Sequence, residues 1–340
     1  MIREVLSEPY ALCMSPGFFK FYTYVGILAA LEEEGLLNVT HVSGSSAGAL
    51  VGGFLATGLK PCEMIDRVLK IRREDMWDLG AYAGLLKGQK FQEILQDQLL
   101  VQHFEETIIP IGVCSYDIFR FKTNIITNDC NIDLATAIRA SCCVPILFTP
   151  VMINNSPNID GGLFDRAGLL GLPGVPSSQL IVNIVSGRET ISSSILPEKY
   201  KDCRLLTIVV EMNHPFVTPF NMATKGEIAV NMGKLSMQNA LDNGHVEQIG
   251  TSNNHWVIYL DGNVSPTAAS ASSTGSDHLK DIKTTYSFVK SLSQSSLSEM
   301  AEDSVVERAT TGKAKKSKPA SSKAAQNGQK NTKKTKKAVK

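Results

Sequence analysis

The stretch HVSGSSAGALVGG, residues 41–53, decides how the rest of the chain is read. Gly44-Ser45-Ser46-Ala47-Gly48 fits the pattern G-x-S-x-G, with Ser46 at its centre. An apolar, β-branched run precedes it and a stretch of small apolar residues follows. A sharp strand-to-helix turn would lift the Ser46 hydroxyl above a sheet, and side chains two positions away on either side would collide with the turn, so those positions are glycine. The following helix would aim its positive end at any negative charge developing there. A plain packing turn of small residues satisfies the same five positions. The flanking strand and helix favour a nucleophile.

Upstream, residues 9–14 (PYALCM) read as a short buried strand, 24–35 as a helix stopped by Gly35, and 37–43 as the strand entering the turn. The small-residue helix after Ser46 runs to Gly58, with Pro61 just beyond. Strand, helix, strand and helix in succession predict a parallel sheet with right-handed crossovers. Residues 61–105 read as mainly helical, with a loop-rich interruption at 77–90. Strands are expected at 107–117 and 119–128, a helix at 134–143 before Pro145, and a strand and turn ending at Asp160-Gly161-Gly162. Buried strands at 178–186 and 204–212, a helix at 224–242 and a strand at 255–261 complete the body. A Ser/Ala/Thr-rich loop at 265–276 and an amphipathic helix at 277–298 follow.

The chain has 340 residues, 43% hydrophobic and 20% charged, which suits a soluble protein with a sizeable core. Its net charge of +1 hides a division. Residues 1–307 carry 22 basic and 33 acidic side chains, whereas Arg308 and eleven lysines follow with no acidic residue. The expected organisation is one domain over 1–300 and a lysine-rich, disordered tail over 301–340, too poor in apolar residues to offset chain entropy. The first residues lack a signal-peptide pattern, and no apolar run reaches the ~18 residues that span a bilayer. Seven cysteines without CxxC spacing argue against a disulfide framework or a zinc site. Cys142 and Cys143 read as reduced core thiols, and a cytoplasmic setting follows.

A serine hydroxyl needs a base. His214 or His245 would be required by an α/β-hydrolase order of Ser, Asp/Glu, His, but that fold builds several strands before its elbow and only one precedes Ser46 here. His41 lies on the strand below the turn and receives no role. Asp160, followed by two glycines, is the other candidate; a simple Asp-Gly turn is its plainer reading.

Ser46 within GSSAG, the block Ala140-Ser141 through Pro145, Phe148 and Pro150-Val151, and Asp160-Gly161-Gly162 occur in this order. Together they resemble the patatin-like phospholipases over residues 9–190, and GLLKGQKFQEIL (84–95) is similar to a segment of that family. The resemblance implies a three-layer α/β/α fold with a mainly parallel central sheet. It implies a Ser-Asp dyad acting on acyl-ester lipids such as phospholipid, with Ser46 as nucleophile, Asp160 as base, and no metal or organic cofactor.

The family's glycine-rich oxyanion loop falls at Pro16-Gly17-Phe18-Phe19-Lys20-Phe21, where only Gly17 and Lys20 match. Pro16 has no N–H, and phenylalanine at 18 and 21 makes a positive φ costly. Gly17 and Phe18 are the expected backbone donors, with Lys20 steadying the loop. This departure keeps a second reading open, a patatin-fold protein that binds lipid without turnover. Phe18, Phe19, Phe21, Tyr22 and Tyr24 read as core packing of the first helix, or as an acyl pocket or lipid-facing rim. The lysine tail suits an anionic membrane surface and peripheral attachment. KKSK and KKTKK also fit nuclear-localisation material. Without interleaved aromatics the tail does not indicate nucleic-acid binding.

Overall fold

The computed structural model describes residues 2–80, 83–176, 179–188, 196, 198–211, 217–244, 246–248 and 254–261, all within one compact unit, Met1–Gly275. The loop and helix expected over 265–298, the lysine tail and the boundary near residue 300 lie outside the described residues, as do His214 and His245.

After a short helix α1 (Ile2–Leu6), the strands are β1 (Tyr10–Met14), β2 (Val39–Ser45), β3 (Ile111–Asp117), β4 (Lys122–Ile126), β5 (Val151–Ile153), β6 (Ser156–Asp160), β7 (Leu180–Ser186), β8 (Arg204–Val210), β9 (Val246–Gln248) and β10 (His255–Leu260). They form one sheet in the order β5-β6-β3-β2-β1-β7-β8-β10-β9, with β4 also paired to β3. From β3 through β10 every pairing on that path is parallel, and the antiparallel pairings sit at the two ends. The mainly parallel α/β architecture read from the sequence is present. Where one strand and turn were expected before Asp160, there is a hairpin, because Asn154 and Asn155 both take positive φ and reverse the chain.

The central strands are continuous apolar runs because both faces of the sheet are covered. In β1, Tyr10, Leu12 and Met14 point into the main core, while Ala11 and Cys13 join a second cluster on the opposite face. The main core is closed by α2 (Phe21–Glu33), α3 (Ala47–Ala56), α4 (Pro61–Lys70), α5 (Arg73–Met76), α6 (Gln89–Gln98), α7 (Leu134–Ser141) and α8 (Met222–Asn243), of which all but the short α5 place buried side chains in it. The opposite cluster packs beneath Ala167, Leu169, Leu172, Tyr200 and Cys203.

Helix α2 begins at Phe21, three residues before the expected start, and is buried without interruption from Phe21 to Leu31. Helix α8 explains this. A Cβ at Gly26 would stand 2.0 Å from the Val230 carbonyl oxygen, and one at Gly233 would stand 2.3 Å from that of Thr23. Glycine on both helices lets their backbones meet and covers the face of α2 that would otherwise reach water.

Candidate active site

The site is assembled on β3. Its first half pairs in parallel with the end of β2, with Ser45 opposite Cys114. Its second half pairs antiparallel with β6, with Asp160 opposite Ser115. The C-terminal ends of β2 and β6 therefore face each other across consecutive residues of one strand, and Ser46 and Asp160 follow from that register. The Ser46 hydroxyl donates to Asp160 Oδ2 at 2.8 Å.

Ser46 has φ 52° and ψ −118°, outside the ordinary wells of an L-residue and worth of order 1–3 kcal/mol of strain. The surroundings impose it. A Cβ at Gly44 would come within 2.4 Å of the Gly48 backbone, and one at Gly48 within 2.1 Å of the Met14 carbonyl oxygen. The ends of β1 and β2 and the first turn of α3 thus nest without side chains between them. The Ser46 N–H donates to Ser141 Oγ at 2.8 Å. Below the turn the Ser45 hydroxyl donates to Asp165 Oδ2 at 2.8 Å. Asp165 is itself buried, and its Oδ1 accepts the Leu169 N–H at 3.0 Å.

Asp160 is buried. Its N–H donates to the Cys143 carbonyl at 2.8 Å and its Oδ1 accepts the Gly162 N–H at 2.7 Å. Burial raises its pKa to about 6, the dominant effect; the Ser46 hydroxyl, the Gly162 N–H and the charge of Arg166 act in the opposite direction. Gly161 admits the turn against β3, since a Cβ there would lie 2.1 Å from the Cys114 carbonyl oxygen. The neighbouring cysteines are free; burial pushes Cys143 up to about 12 and Cys142 well above its ordinary value, so both are neutral thiols.

The Pro16–Phe21 segment lies beside this turn: a Cβ at Gly162 would be 2.3 Å from Pro16 Cβ. None of its residues has positive φ, so the backbone cost attached to Phe18 and Phe21 does not arise. Lys20 N–H donates to the Gly17 and Phe18 carbonyls, and the Lys20 stem packs on Gly17, where a Cβ would be 2.9 Å from Lys20 Cβ. Ser15 anchors the segment by accepting the Ser186 N–H at 2.9 Å and bonding the Tyr24 hydroxyl at 2.9 Å. Phe21, Tyr22 and Tyr24 are core residues, whereas Phe18 and Phe19 are half-buried. The Gly84-Leu85-Leu86 segment pairs with the 146–149 block, Leu86 N–H donating to the Leu147 carbonyl at 2.8 Å.

Among the described histidines, His41 bonds Thr40 at 3.1 Å and His255 bonds Thr207 at 2.9 Å; none bonds Ser46 or Asp160. A cavity of about 500 Å³ lined by Phe104, Ile111, Thr127 and Leu172 opens at the start of β3, the end of the sheet opposite Ser46. Sequence reasoning missed Asp165, Ser15 and the brace from Ser141 to Ser46 N–H. Ser141 was visible only as part of its block, and the other two carry no local pattern.

Residues 12–172 match the family profile of the patatin-like phospholipases, a span that holds the turn at Ser46, the Asp160-Gly161-Gly162 turn and β3 between them. These residues belong to the patatin-like phospholipase family. Among relatives of the chain, an uncharacterized NTE family protein of Mycobacterium bovis is 26% identical over 192 residues, 55% of this chain and 52% of that one. A probable lipid hydrolase of Invertebrate iridescent virus 6 is 24% identical over 48% of this chain and 67% of its own. A lysophospholipase of Candida glabrata is 25% identical over 71% of this chain and 14% of its own. The chain spans about half the length of the mycobacterial relatives it matches. Among solved structures, VipD from Legionella pneumophila aligns with 77% of this chain and 63% of its own at 16% identity and a TM-score of 0.37. Among the described residues no helix is long and apolar enough to cross a membrane.

Proposed function

We propose that the patatin-like chain hydrolyses acyl esters of lipids, with Ser46 as nucleophile and Asp160 as its general base. The observation that carries this reading is the 2.8 Å hydrogen bond from the Ser46 hydroxyl to a buried carboxylate, made from a strained turn at the start of α3. Asp160 takes the Ser46 proton as Oγ attacks the ester carbonyl, the alcohol leaves with that proton, and an acyl-serine forms. Water, deprotonated by Asp160, then releases the fatty acid and restores the serine. Both steps balance with water as the only co-reactant. The ordinary Asp pKa of ~3.9 makes a weak base; a value of about 6 brings the carboxylate closer to its working pH while leaving it mostly ionised at neutrality. Positive charge at the start of α3 and the Gly17 and Phe18 N–H groups are the proposed oxyanion donors, each amide worth ~2.7–4 kcal/mol of barrier. A lipid substrate is favoured by the family and by relatives named as a lipid hydrolase and a lysophospholipase.

Pro16, which cannot donate, favours the second reading, lipid binding without turnover. Intact mass after treatment with a fluorophosphonate separates the two. Hydrolysis predicts one adduct on the wild-type chain and none on Ser46→Ala, followed by release of fatty acid from phospholipid. A folded wild-type chain that takes no adduct refutes the hydrolase and leaves the binding protein.

A further inference from the structure

Two hairpins run side by side beyond the C-terminal edge of the parallel strands, past Ser46 and Asp160. One joins β3 to β4 through residues 118–121; the other joins β5 to β6 through Asn154 and Asn155. Asp117 is opposite Asn158, and the Ile118 N–H donates to the Pro157 carbonyl at 3.0 Å. The two hairpins therefore stay attached beyond the last ladder pair.

The β3–β4 tip is apolar and open to water, and on the neighbouring hairpin Met152 stands exposed on β5, two residues before the polar Asn154-Asn155 turn. Phe121 is 80% exposed, Phe119 69% and Met152 61%. Phe121 also has φ 50°, a backbone that a bulky residue seldom takes. The turn is braced from beneath: the buried Asp117 carboxylate accepts the Arg120 N–H at 2.9 Å, the Arg120 guanidinium at 2.8 Å and the Ser156 hydroxyl. The fold thus holds two phenylalanines outward in a fixed turn. Nearer the site, exposed Phe164 stacks on Tyr116 with ring centroids 3.9 Å apart, continuing the apolar edge toward Gly161.

Charge follows the same division. Residues 115–122 and 151–166 hold three carboxylates, Asp117, Asp160 and Asp165, all buried; their three cations, Arg120, Lys122 and Arg166, are all exposed. This cationic rim stands on a region, residues 1–307, whose net charge is −11. The tip reads Phe-Arg-Phe-Lys, aromatic rings interleaved with cations. A fluid bilayer closes around such a tip: rings enter below the headgroups and cations meet anionic phosphates.

We propose that the β3–β4 tip, through Phe119, Phe121, Arg120 and Lys122, together with Met152 on the neighbouring hairpin, seats the mouth of the site on an anionic phospholipid bilayer. The proposal rests on the lipid-ester reading for its purpose and on the hairpins for its geometry.

The test uses the full-length chain carrying Ser46→Ala, so that lipid is not consumed, with Phe119→Trp as a local probe. Vesicles of phosphatidylcholine with brominated acyl chains, with and without phosphatidylserine, are added, and the emission of the parent chain (Trp77 and Trp256) is subtracted. The added indole is expected to shift to the blue and be quenched on vesicles containing phosphatidylserine, and Lys122→Gln to weaken vesicle affinity by roughly fivefold. Vesicle attachment with the indole still water-like would place the contact elsewhere, the lysine tail included, and overturn the proposal; so would absence of attachment. With Ser46 intact, Phe119→Ser with Phe121→Ser is expected to lower turnover of vesicle-borne phospholipid about tenfold while sparing a soluble short-chain ester. Equal loss on both substrates would overturn the docking role. A wild-type chain that cleaves neither substrate would end the hydrolase reading, and the indole would still decide docking.

Discussion

Asp160→Asn should stabilise the fold while removing the proposed base, and the pH dependence of that gain is its signature. The carboxyl is an acid whose pKa is raised by burial, from 3.8 to about 6. The folded state therefore binds a proton more readily than the unfolded state does, and ionisation opposes folding. That cost is absent below the unfolded pKa, grows as pH rises between the two values and is complete above the folded one. At 1.36 kcal/mol per pKa unit, a shift of about two units is worth ~3 kcal/mol at about pH 8 and ~1 kcal/mol at about pH 4.5. Asparagine never ionises and has nearly the same shape, but its amide group can replace only one of the two accepting oxygens that face Ser46 and Gly162. Losing one such bond costs about 1 kcal/mol at every pH. The net gain should then be ~2 kcal/mol at about pH 8 and vanish near pH 4.5. Urea unfolding of both proteins at the two pH values measures it, and the fixed hydrogen-bond cost cancels in the difference. A stability difference that is the same at both pH values would refute the claim that burial holds this carboxyl high.

The rate of ester hydrolysis should rise with pH through a midpoint of about 6, because only ionised Asp160 can take the Ser46 proton; initial rates on a soluble ester across this range check it. Gly48→Ala should cost more than ~3 kcal/mol, because the new Cβ meets the Met14 carbonyl oxygen at 2.1 Å and both sides are backbone; the melting temperature reads it. Ser141→Ala leaves the Ser46 N–H without its acceptor at a cost of ~1–3 kcal/mol. It should also slow labelling of Ser46 by a fluorophosphonate, since the strained turn loses a brace, and unchanged labelling would count against that role.

The serine turn was legible in sequence because its requirements are local. Gly44 and Gly48 are glycine through contacts within a few residues of Ser46 or with the adjacent strand, so the reason for the pattern lies near the pattern itself. Asp160 was legible only as one of an ordered set of motifs, because its partner is far along the chain and an Asp-Gly-Gly turn has many uses. Asp165 was invisible: a buried carboxylate beneath Ser45 differs in sequence from a surface aspartate only through contacts that the fold supplies. Helix α2 shows the same limit in the core. Its apolar positions predict a helix over 24–35, and only α8, some 200 residues later, explains why Phe21 through Leu31 are all buried. The loop at Pro16–Phe21 looked unsuitable because glycine positions were read as positive-φ positions, whereas the backbone turns there without one.

The role of β3 as common template has a consequence for when the site can exist during synthesis. The residues that make the serine–aspartate bond are 114 positions apart, and no local element brings them together; they meet only after β3 has paired on both halves of its length. A growing chain that has formed β1, α2, β2 and α3 holds a serine turn but no partner for it, and closing so long a loop is among the slower events of folding. Reactivity at Ser46 would then report completion of the sheet as far as β6, so that a nascent chain could be followed by covalent labelling and would stay silent until Asp160 had been added and paired.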